Sequence, residues 1–323
     1  MMLRIVFRSY GGENLKGRPA YYSKRLAFDS FERAYLRARD VLGAQDPTRT
    51  AQAVSTHGVS VTFANDGPIA PELLERMRGL GEIVQTPSGP VGAKASYGFA
   101  LALPRAMGWA ASDVVVYIED DYLMTCEALV ELARAVDAIP EAGYFALAHG
   151  RPDDYSDPAQ IARYSTVPWW EPAADRVVDG QRWINILGVT STFAARVGVL
   201  EQDRDIFELC QRPFRRRWYD HETAMLYQGV RPYRGASYWT GMPGDFVPSA
   251  RGVLRALVLL PFRVALNARA ARQRVPHLLY APAPVVAVHL EVDGIDEPER
   301  WEAEARAVAE WARNRARDVR NAA

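Results

Sequence analysis

The segment 114–124, VVVYIEDDYLM, places five apolar residues directly before three adjacent carboxylates, Glu119, Asp120 and Asp121. Like charges at this spacing repel one another, and a carboxylate at the end of a buried strand needs a positive partner or open water. Hard divalent cations prefer oxygen ligands, and proteins often hold Mg²⁺ with one or two carboxylates and substrate phosphates. The segment therefore favours a cation site, and a solvated acidic turn is the alternative.

Two more polar clusters follow strand-like segments earlier in the chain. Arg8 and Ser9 follow the apolar run 3–7, and Asp66, within the turn sequence NDGP, follows the alternating segment 59–64. In an open α/β sheet, ligands bind outside the carboxyl ends of the strands. We therefore expect these side chains to meet the acidic cluster in one crevice. A surface cation at Arg8 and a simple turn at Asp66 are the alternatives.

The elements that must position these residues alternate between strand and helix through the first 150 residues. This alternation predicts an α/β fold with a mainly parallel sheet and helices on both faces. The second half is less regular, and the sequence pattern changes near residue 150. No clear domain break accompanies this change, so we expect one domain over 1–323. The predicted strands cover 3–7, 59–64, 82–85, 114–118, 144–147, 183–195 and 285–290, and the predicted helices cover 23–36, 71–80, 92–107, 126–139 and 218–229.

The composition excludes few functional classes of protein, but it limits the cellular compartments that we expect. Lys+Arg and Asp+Glu both number 39, and this zero net charge argues against nucleic acid as the main partner. The two cysteines, Cys126 and Cys210, have no CxxC spacing and fit a reducing compartment. There is no pattern of a signal peptide and no apolar run of the roughly 18 to 20 residues that spans a bilayer. We expect a cytoplasmic protein.

The segment 251–274 is an exception to the expectation of a protein without membrane contact. It combines a short apolar run with six arginines, a composition that suits peripheral contact with an anionic membrane surface. From the sequence alone we favour the simpler interpretation, a helix that packs on the domain and is kinked by Pro261.

The segments RIVFRS, VTFANDGP and VVVYIEDDYLM, in this order, resemble nucleotide-sugar glycosyltransferases of the GT-A fold, nearest the family 2 type. The resemblance covers roughly residues 1–230 and implies a GT-A-like (Rossmann-like) fold. It also implies a DxD motif that binds Mn²⁺ or Mg²⁺ and the diphosphate of the sugar nucleotide. This chain departs from the motif at Glu119, so the match in spacing is Glu119-x-Asp121. The implied metal ligand is Asp121, and Asp120 is expected near the ribose or sugar.

The same resemblance suggests roles for residues outside the acidic cluster. His289, at the end of an apolar strand, is expected to complete the metal site, with a buried core histidine as the alternative. Asp66 is expected to accept a hydrogen bond from a uracil, thymine or guanine base. The remaining donor-binding candidates are Arg8, Ser9, Lys94 and Tyr97, the last two on a helix that lines the donor pocket.

An inverting transfer also needs a carboxylate that deprotonates the acceptor hydroxyl. The resemblance expects an acidic pair near a helix start, roughly a hundred residues after the DxD motif, and Asp220 and Glu222 stand there. Asp220 is the first candidate, with a helix N-cap as its alternative role. His221 is a further candidate, because an imidazole near neutral pH can accept a proton.

These features predict a bacterial, metal-dependent, hexosyltransferase-like enzyme that moves a sugar from a UDP-, GDP- or dTDP-linked donor to an acceptor hydroxyl, with inversion. Residues 1–150 would bind the nucleotide sugar, and 151–323 would bind a glycan, lipid-linked or small-molecule acceptor. A nucleotidyltransferase is one alternative, although only Gly11 and Gly12 suggest its glycine-rich loop. A non-catalytic sugar- or protein-binding module is another. A dinucleotide-dependent oxidoreductase is disfavoured, because no GxGxxG follows the first strand.

Overall fold

A computed structural model describes residues 1–43, 58–148, 167–212, 219–241, 246–291 and 295–322. A nine-stranded sheet forms its centre, with the strand order β3-β2-β1-β4-β9-β6-β10-β8-β7. The strands and their bounds are β1 (Leu3–Tyr10), β2 (Val59–Asp66), β3 (Glu82–Gln85), β4 (Val114–Glu119), β5 (Tyr122–Met124), β6 (Ala142–Phe145), β7 (Arg176–Val178), β8 (Gln181–Asn185), β9 (Phe193–Arg196), β10 (Leu278–Ala283) and β11 (Ala287–His289).

The central sheet is mainly parallel, as the alternation of strand and helix predicted. Strands β3, β2, β1 and β4 pair in parallel, and β6 and β10 also pair in parallel. Within the described residues, only β9 and β8 run against the direction of the other strands of this sheet. Strands β5 and β11 form a separate antiparallel pair beside the end of β4.

Helices cover both faces of the sheet. They are α1 (Lys24–Gly43), α2 (Pro71–Leu80), α3 (Ala93–Ala106), α4 (Ala128–Ala138), α5 (Val197–Gln202), α6 (Arg204–Gln211), α7 (Asp220–Tyr227), α8 (Ser237–Thr240), α9 (Ala250–Arg272) and α10 (Pro298–Ala322). Within the part of the chain that the structure describes, no helix is long and apolar enough to cross a membrane.

Strand β1 is buried on both faces, and its alternate residues enter two different cores. Phe7 packs against Phe28 and Phe31 of α1, with ring centroids 5.7 and 4.5 Å away. Val6 points to the opposite face and packs in the core that contains Tyr117 and helices α3, α6 and α7. This double burial explains why β1 is an almost continuous apolar run, as is usual for a central parallel strand.

The first half follows the predicted element order closely. The Ser23 hydroxyl accepts a hydrogen bond from the backbone N–H of Leu26 at 3.0 Å and so caps the beginning of α1. Helix α3 continues past Pro104 to Ala106, so the proline does not end it. The backbone of α7 begins at Asp220, as the sequence suggested, whereas Trp218 lies outside the described residues.

In the second half several elements differ from the prediction, and β7 and α10 are among those that were not predicted. The predicted single strand over 183–195 was wrong, because β8 and β9 lie at different places in the sheet and the loop 186–192 connects them. Strand β10 was not predicted, since Pro282 in its sequence disfavours a central strand. The structure accommodates Pro282 near the end of β10, where it lies opposite Trp183 of the antiparallel strand β8.

Candidate functional site

The acidic cluster lies where the order of the strands reverses. From β1 the chain builds β2 and β3 on one side, and then returns to place β4 on the other side of β1. A crevice opens outside the carboxyl ends at such a switch point, and ligands of open α/β sheets bind there. Arg8 lies opposite Glu119 across the β1–β4 pair, so the two predicted polar clusters meet.

Glu119 is held by two neighbours at the end of β4. Its Oε1 accepts a hydrogen bond from Arg8 Nη1 at 3.0 Å, and its Oε2 accepts one from the Ser191 hydroxyl. The Arg8 guanidinium also donates to the Ala93 carbonyl at 3.1 Å and lies 5.3 Å from the ring centroid of Tyr97. Glu119 therefore has both oxygens engaged, and Arg8 connects β4 to the beginning of α3.

Asp120 faces the opposite side of the cluster, toward α1. Its Oδ2 accepts hydrogen bonds from Lys24 Nζ and from the Tyr10 backbone N–H, both at 2.8 Å. Burial raises the pKa of Asp120 above its ordinary value, although the Lys24 ammonium and the Tyr10 N–H both favour the carboxylate. Lys24 is one of only three lysines in the chain, and sequence reasoning did not select it.

Asp121 contacts both an arginine and the predicted histidine. Its Oδ2 lies 2.7 Å from Arg18 Nη2 and 3.0 Å from His289 Nε2. Its Oδ1 is buried and has no hydrogen-bond partner within the described residues. The antiparallel β5–β11 pair places His289 opposite Tyr122, and the two rings stack with centroids 5.0 Å apart. The two residues predicted as metal ligands are thus adjacent.

The charges of this cluster shift one another's protonation. Burial disfavours the Asp121 carboxylate, but the hydrogen bonds and charges of His289 and Arg18 outweigh it and lower the pKa of Asp121 to about 2. Burial also disfavours the imidazolium of His289, but the contact with Asp121 outweighs it and raises the pKa of His289 above its ordinary value. Asp121 therefore stays ionised at neutral pH.

The donor set at Asp121 fits a divalent cation that draws most of its ligands from elsewhere. A carboxylate oxygen and an imidazole nitrogen are acceptable ligands for Mn²⁺, and Mg²⁺ often takes only one or two protein carboxylates and fills its sphere with water and phosphate oxygens. Among the described residues, no group of three or more His, Cys, Asp or Glu side chains forms a complete metal site. Asp121 Oδ1 and His289 are the protein ligands that the arrangement offers, and His289 would bind a metal in its neutral form after releasing its contact with Asp121 Oδ2.

Asp66 uses its carboxylate to order the loop that precedes α3. Its Oδ1 accepts hydrogen bonds from the Thr86 hydroxyl at 2.9 Å and the Val91 N–H at 2.7 Å, and its Oδ2 accepts one from the Gly92 N–H at 3.0 Å. The Asp66 side chain is buried, and its contact with Thr86 is buried too, whereas its contacts with Val91 and Gly92 are only partly buried. Lys94, half-buried, follows in the first turn of α3. Asp66 thus positions this loop and the beginning of α3.

The two candidate bases differ in their surroundings. The side chain of Asp220 lies outside the described residues, although its backbone begins α7. Glu222 is buried and accepts a hydrogen bond from the Tyr233 hydroxyl at 2.6 Å. Burial and this carboxylate raise the pKa of Tyr233, which therefore stays protonated as the donor. Glu222 thus points into the packing between α7 and its neighbours.

The loop 186–192 joins the acidic cluster to the beginning of α7. At one end, Ser191 donates to Glu119, and the Thr192 hydroxyl accepts from the Glu119 N–H at 3.3 Å. At the other end, Gly188 lies against His221, and a Cβ at Gly188 would stand 3.0 Å from His221 Nδ1. The sequence contains these small polar residues, but their role was hidden within the predicted strand 183–195.

A cavity of about 360 Å³ adjoins the cluster between β1, α1 and α2. This volume is in the range of small-ligand pockets. The buried hydroxyl of Ser9 has no hydrogen-bond partner within the described residues. The residues at the cluster's side of the cavity are Ser9, Tyr10, Gly11, Gly12, Lys24 and Asp120.

Comparisons with known proteins give weak similarities only. No family model and no curated protein sequence matches the chain. Among solved structures, S. aureus TarS 1–349 aligns with a TM-score of 0.40 and 14% identity over 70% of this chain and 54% of that chain. Its complex with UDP-GlcNAc gives 0.39 and 13% over 70% and 52%. The chain thus spans about half the length of these TarS chains.

A second solved structure covers almost the full length of both chains. A CMP:2-keto-3-deoxy-manno-octonic acid synthetase complexed with CTP aligns with a TM-score of 0.38 and 15% identity over 96% of this chain and 98% of that chain. All these TM-scores lie below 0.5, so none of the similarities bears on the chemistry of the site.

Proposed function

We propose that the protein is a metal-dependent glycosyltransferase that moves a sugar from a nucleotide diphosphate sugar to an acceptor hydroxyl. The observation that carries this proposal is the cluster of Asp121, His289 and Arg18 at the switch point, with a buried Asp121 oxygen available. Residues 1–150 form the donor-binding half in this proposal, and 151–323 form the acceptor-binding half.

Different residues of the cluster would bind the metal ion and the diphosphate. Asp121 and His289 would hold Mn²⁺ or Mg²⁺, which when bound neutralises negative charge on the leaving diphosphate. Arg18 and Lys24 supply further positive charge, and arginine suits phosphate oxygens because its N–H groups form a planar fork. The ribose or sugar would contact Asp120, which lines the neighbouring cavity together with Ser9.

Asp66 enters this proposal through the loop that it orders. A base that stacks near the loop 86–92 would contact the backbone that the Asp66 carboxylate orders. Lys94, which is half-buried, and Tyr97, which Arg8 contacts, lie after this loop on α3. Arg8 then supports the pocket by fixing α3 against β4. These are the donor-binding roles that we propose for Arg8, Asp66, Lys94 and Tyr97.

The acceptor hydroxyl requires a base on the other side of the donor. We propose Asp220 for this role, because Glu222 is already buried and hydrogen-bonded to Tyr233. A carboxylate on the first turn of α7 would accept the proton as the hydroxyl attacks the anomeric carbon, and such an attack inverts the configuration. The loop 186–192 holds this turn beside the acidic cluster.

Calorimetric titration of UDP, GDP and dTDP, each with and without Mn²⁺ or Mg²⁺, tests the donor site. We expect metal-dependent binding of one diphosphate to the native chain and its loss in Asp121→Asn. Asp40→Asn is the matched control, because Asp40 is 72% exposed on α1 and should bind as the native chain does. If none of the nucleotides binds under any metal, the proposal is wrong and a non-catalytic module is favoured.

A nucleotidyltransferase is the second candidate, favoured by the glycines after β1. Gly11 and Gly12 line the cavity together with Lys24, and a Cβ at Gly11 would stand 2.1 Å from the Pro68 carbonyl oxygen. A side chain at position 11 would clash with this oxygen, so glycine is required there, and a glycine-rich loop after the first strand is the feature that we expect of a nucleotidyltransferase. The reaction products distinguish the two candidates. A nucleotidyltransferase would release pyrophosphate from a nucleoside triphosphate and a sugar phosphate, whereas a glycosyltransferase would release a nucleoside diphosphate from a nucleotide sugar.

A further inference from the structure

Helix α9 is apolar on the face that points away from the protein. Its inner face is buried through Ala256, Leu259, Leu266 and Ala270. At 100° per residue, the opposite face carries a second apolar set. Its large members and their exposed fractions are Leu254 (62%), Leu257 (50%), Val258 (47%) and Val264 (50%).

This outer face departs from the usual design of a surface helix, which buries one apolar stripe and presents polar residues to water. The exposed residues Pro261, Ala265 and Ala268 share the outer face, so the apolar surface extends over several turns. A contiguous apolar patch of this kind marks an interaction surface. Helix α9 continues through Pro261 without a break, so these residues all belong to one helix.

The charges that α9 and its immediate flanks carry are all positive. The segment 247–276 contains six arginines and no aspartate or glutamate, although the whole chain has no net charge. Arg263 is buried and donates to the carbonyls of Tyr238 and Trp239, and Arg269 pairs with Asp205 at 2.9 Å. The other four arginines are exposed at the flank and ends of the helix, and they are Arg251, Arg255, Arg272 and Arg274.

We propose that the outer face of α9 binds the surface of an anionic lipid bilayer. Leucine and valine side chains would enter the boundary between head groups and acyl chains, and the flanking arginines would reach lipid phosphates. A second copy of the chain is a poorer occupant, because a symmetric contact through this face would bring the arginines of two copies together. Anionic lipid supplies the apolar surface and the opposite charge at once.

The inner side of α9 packs beside the candidate acceptor site. Asn267 of α9 donates to the Tyr233 carbonyl at 2.6 Å, and the Tyr233 hydroxyl donates to Glu222 on the first turn of α7. A bilayer at α9 would therefore lie beside the half of the molecule to which we assign the acceptor. A lipid-linked acceptor follows from this placement, a step that rests on the proposed function.

Co-sedimentation of the full chain with vesicles tests the lipid surface without any enzyme assay. We expect binding to vesicles of phosphatidylcholine and phosphatidylglycerol, weak binding to phosphatidylcholine alone, and a loss of binding as salt increases. Arg251→Ser/Arg255→Ser should lower the partition coefficient about 25-fold, since each arginine near an anionic surface contributes roughly fivefold. Leu254→Ser/Leu257→Ser should lower it at least tenfold, because it removes the inserted apolar groups.

Val177→Ser is the matched control, because Val177 is an exposed apolar residue on the edge strand β7. It should bind vesicles as the native chain does. Thermal unfolding of each variant tests whether the variant is folded. Absence of vesicle binding by the native chain overturns the proposal, as does equal binding to neutral vesicles. A dimer in light scattering that Leu254→Ser/Leu257→Ser dissociates, without vesicle binding, assigns the face to a second copy instead. None of these outcomes depends on nucleotide binding.

Discussion

At the scale of single residues, three adjacent carboxylates have three different partners. Glu119 is engaged by Arg8 and Ser191, Asp120 by Lys24 and the Tyr10 N–H, and Asp121 by Arg18 and His289. The separate cations reduce the repulsion that three neighbouring negative charges would otherwise cause. Asp121 differs from the other two because it contacts a histidine and keeps one buried oxygen that has no hydrogen-bond partner among the described residues.

Arg18→Ala should weaken binding of the diphosphate in the presence of metal by roughly ten- to a hundredfold. A hydrogen bond to a charged group contributes about 1.5–3 kcal/mol, and Arg18 is the buried cation next to Asp121. Calorimetric titration measures the change. Arg39→Ala, at an exposed arginine of α1, is the control. Unchanged affinity in Arg18→Ala would contradict a role in diphosphate binding.

The Asp121 ion pairs should make the metal-free protein less stable in acid. Because the folded-state pKa of Asp121 is lowered to about 2 from 3.8, its contribution is present above pH 3.8 and is lost as the pH falls toward 2. The raised pKa of His289 adds stability below pH 6.5, which is lost as the pH rises through the folded-state value. The advantage of the native chain over Asp121→Asn should therefore be largest between about pH 4 and 6.5.

Urea unfolding of both proteins in the presence of a chelator, from pH 2 to 8, measures this difference. Asp40→Asn, at an exposed carboxylate, should show no comparable maximum. A difference between the native chain and Asp121→Asn that does not change with pH would show that these ion pairs do not titrate as the structure indicates.

At the scale of elements, two loops connect the sheet to the site. The loop 86–92 is fixed by the buried carboxylate of Asp66, and it sets the beginning of α3. The loop 186–192 connects Glu119 to the first turn of α7 through Ser191 and Gly188. Both loops therefore connect the ends of the strands to the helices that flank the crevice and fix the positions of these helices.

Asp66→Ala should lower the free energy of unfolding by about 1–3 kcal/mol. The substitution removes the charged acceptor of the partly buried N–H groups of Val91 and Gly92, and a hydrogen bond to a charged group contributes about 1.5–3 kcal/mol. Chemical denaturation measures the change, with Asp40→Ala as the exposed control. A change below about 0.5 kcal/mol, the usual range for surface substitutions, would contradict this role for Asp66.

At the scale of the whole molecule, helix α10 packs across α1 and the small β5–β11 sheet. Trp301 of α10 is 1% exposed in a core that includes Leu26 of α1, Leu123 of β5 and Val288 of β11. Since β11 also carries His289, the packing of a helix near the end of the chain supports a side chain of the candidate metal site. We therefore expect stability and ligand binding to be coupled through this core.

Trp301→Ala should lower the free energy of unfolding by about 3–5 kcal/mol, because it leaves a large cavity in this core. It should also weaken metal-dependent nucleotide binding, because β11 loses support for His289. Thermal unfolding and calorimetric titration measure the two effects. Trp239→Ala, at a tryptophan that is 50% exposed, should change neither by a comparable amount. Full nucleotide affinity in a destabilised Trp301→Ala protein would show that β11 holds His289 without α10.

The sequence by itself determined the α/β class, the first four strands and the place of the acidic cluster. Apolar runs that end in polar residues must lie in a buried parallel sheet, and the carboxyl ends of such strands meet at one edge. This rule depends on local pattern alone, so Arg8 and Glu119 could be expected together before any contact was known.

Only the tertiary structure decided which side chains face one another. Lys24 and Arg18 come from the chain after β1 to meet Asp120 and Asp121, and no local pattern specifies such long-range pairs. The burial of Glu222 depends on Tyr233 and the packing of α9, which lie outside its own helix. The exposed apolar face of α9 is similar: its composition is visible in the sequence, but which side is covered depends on the docking of the whole helix.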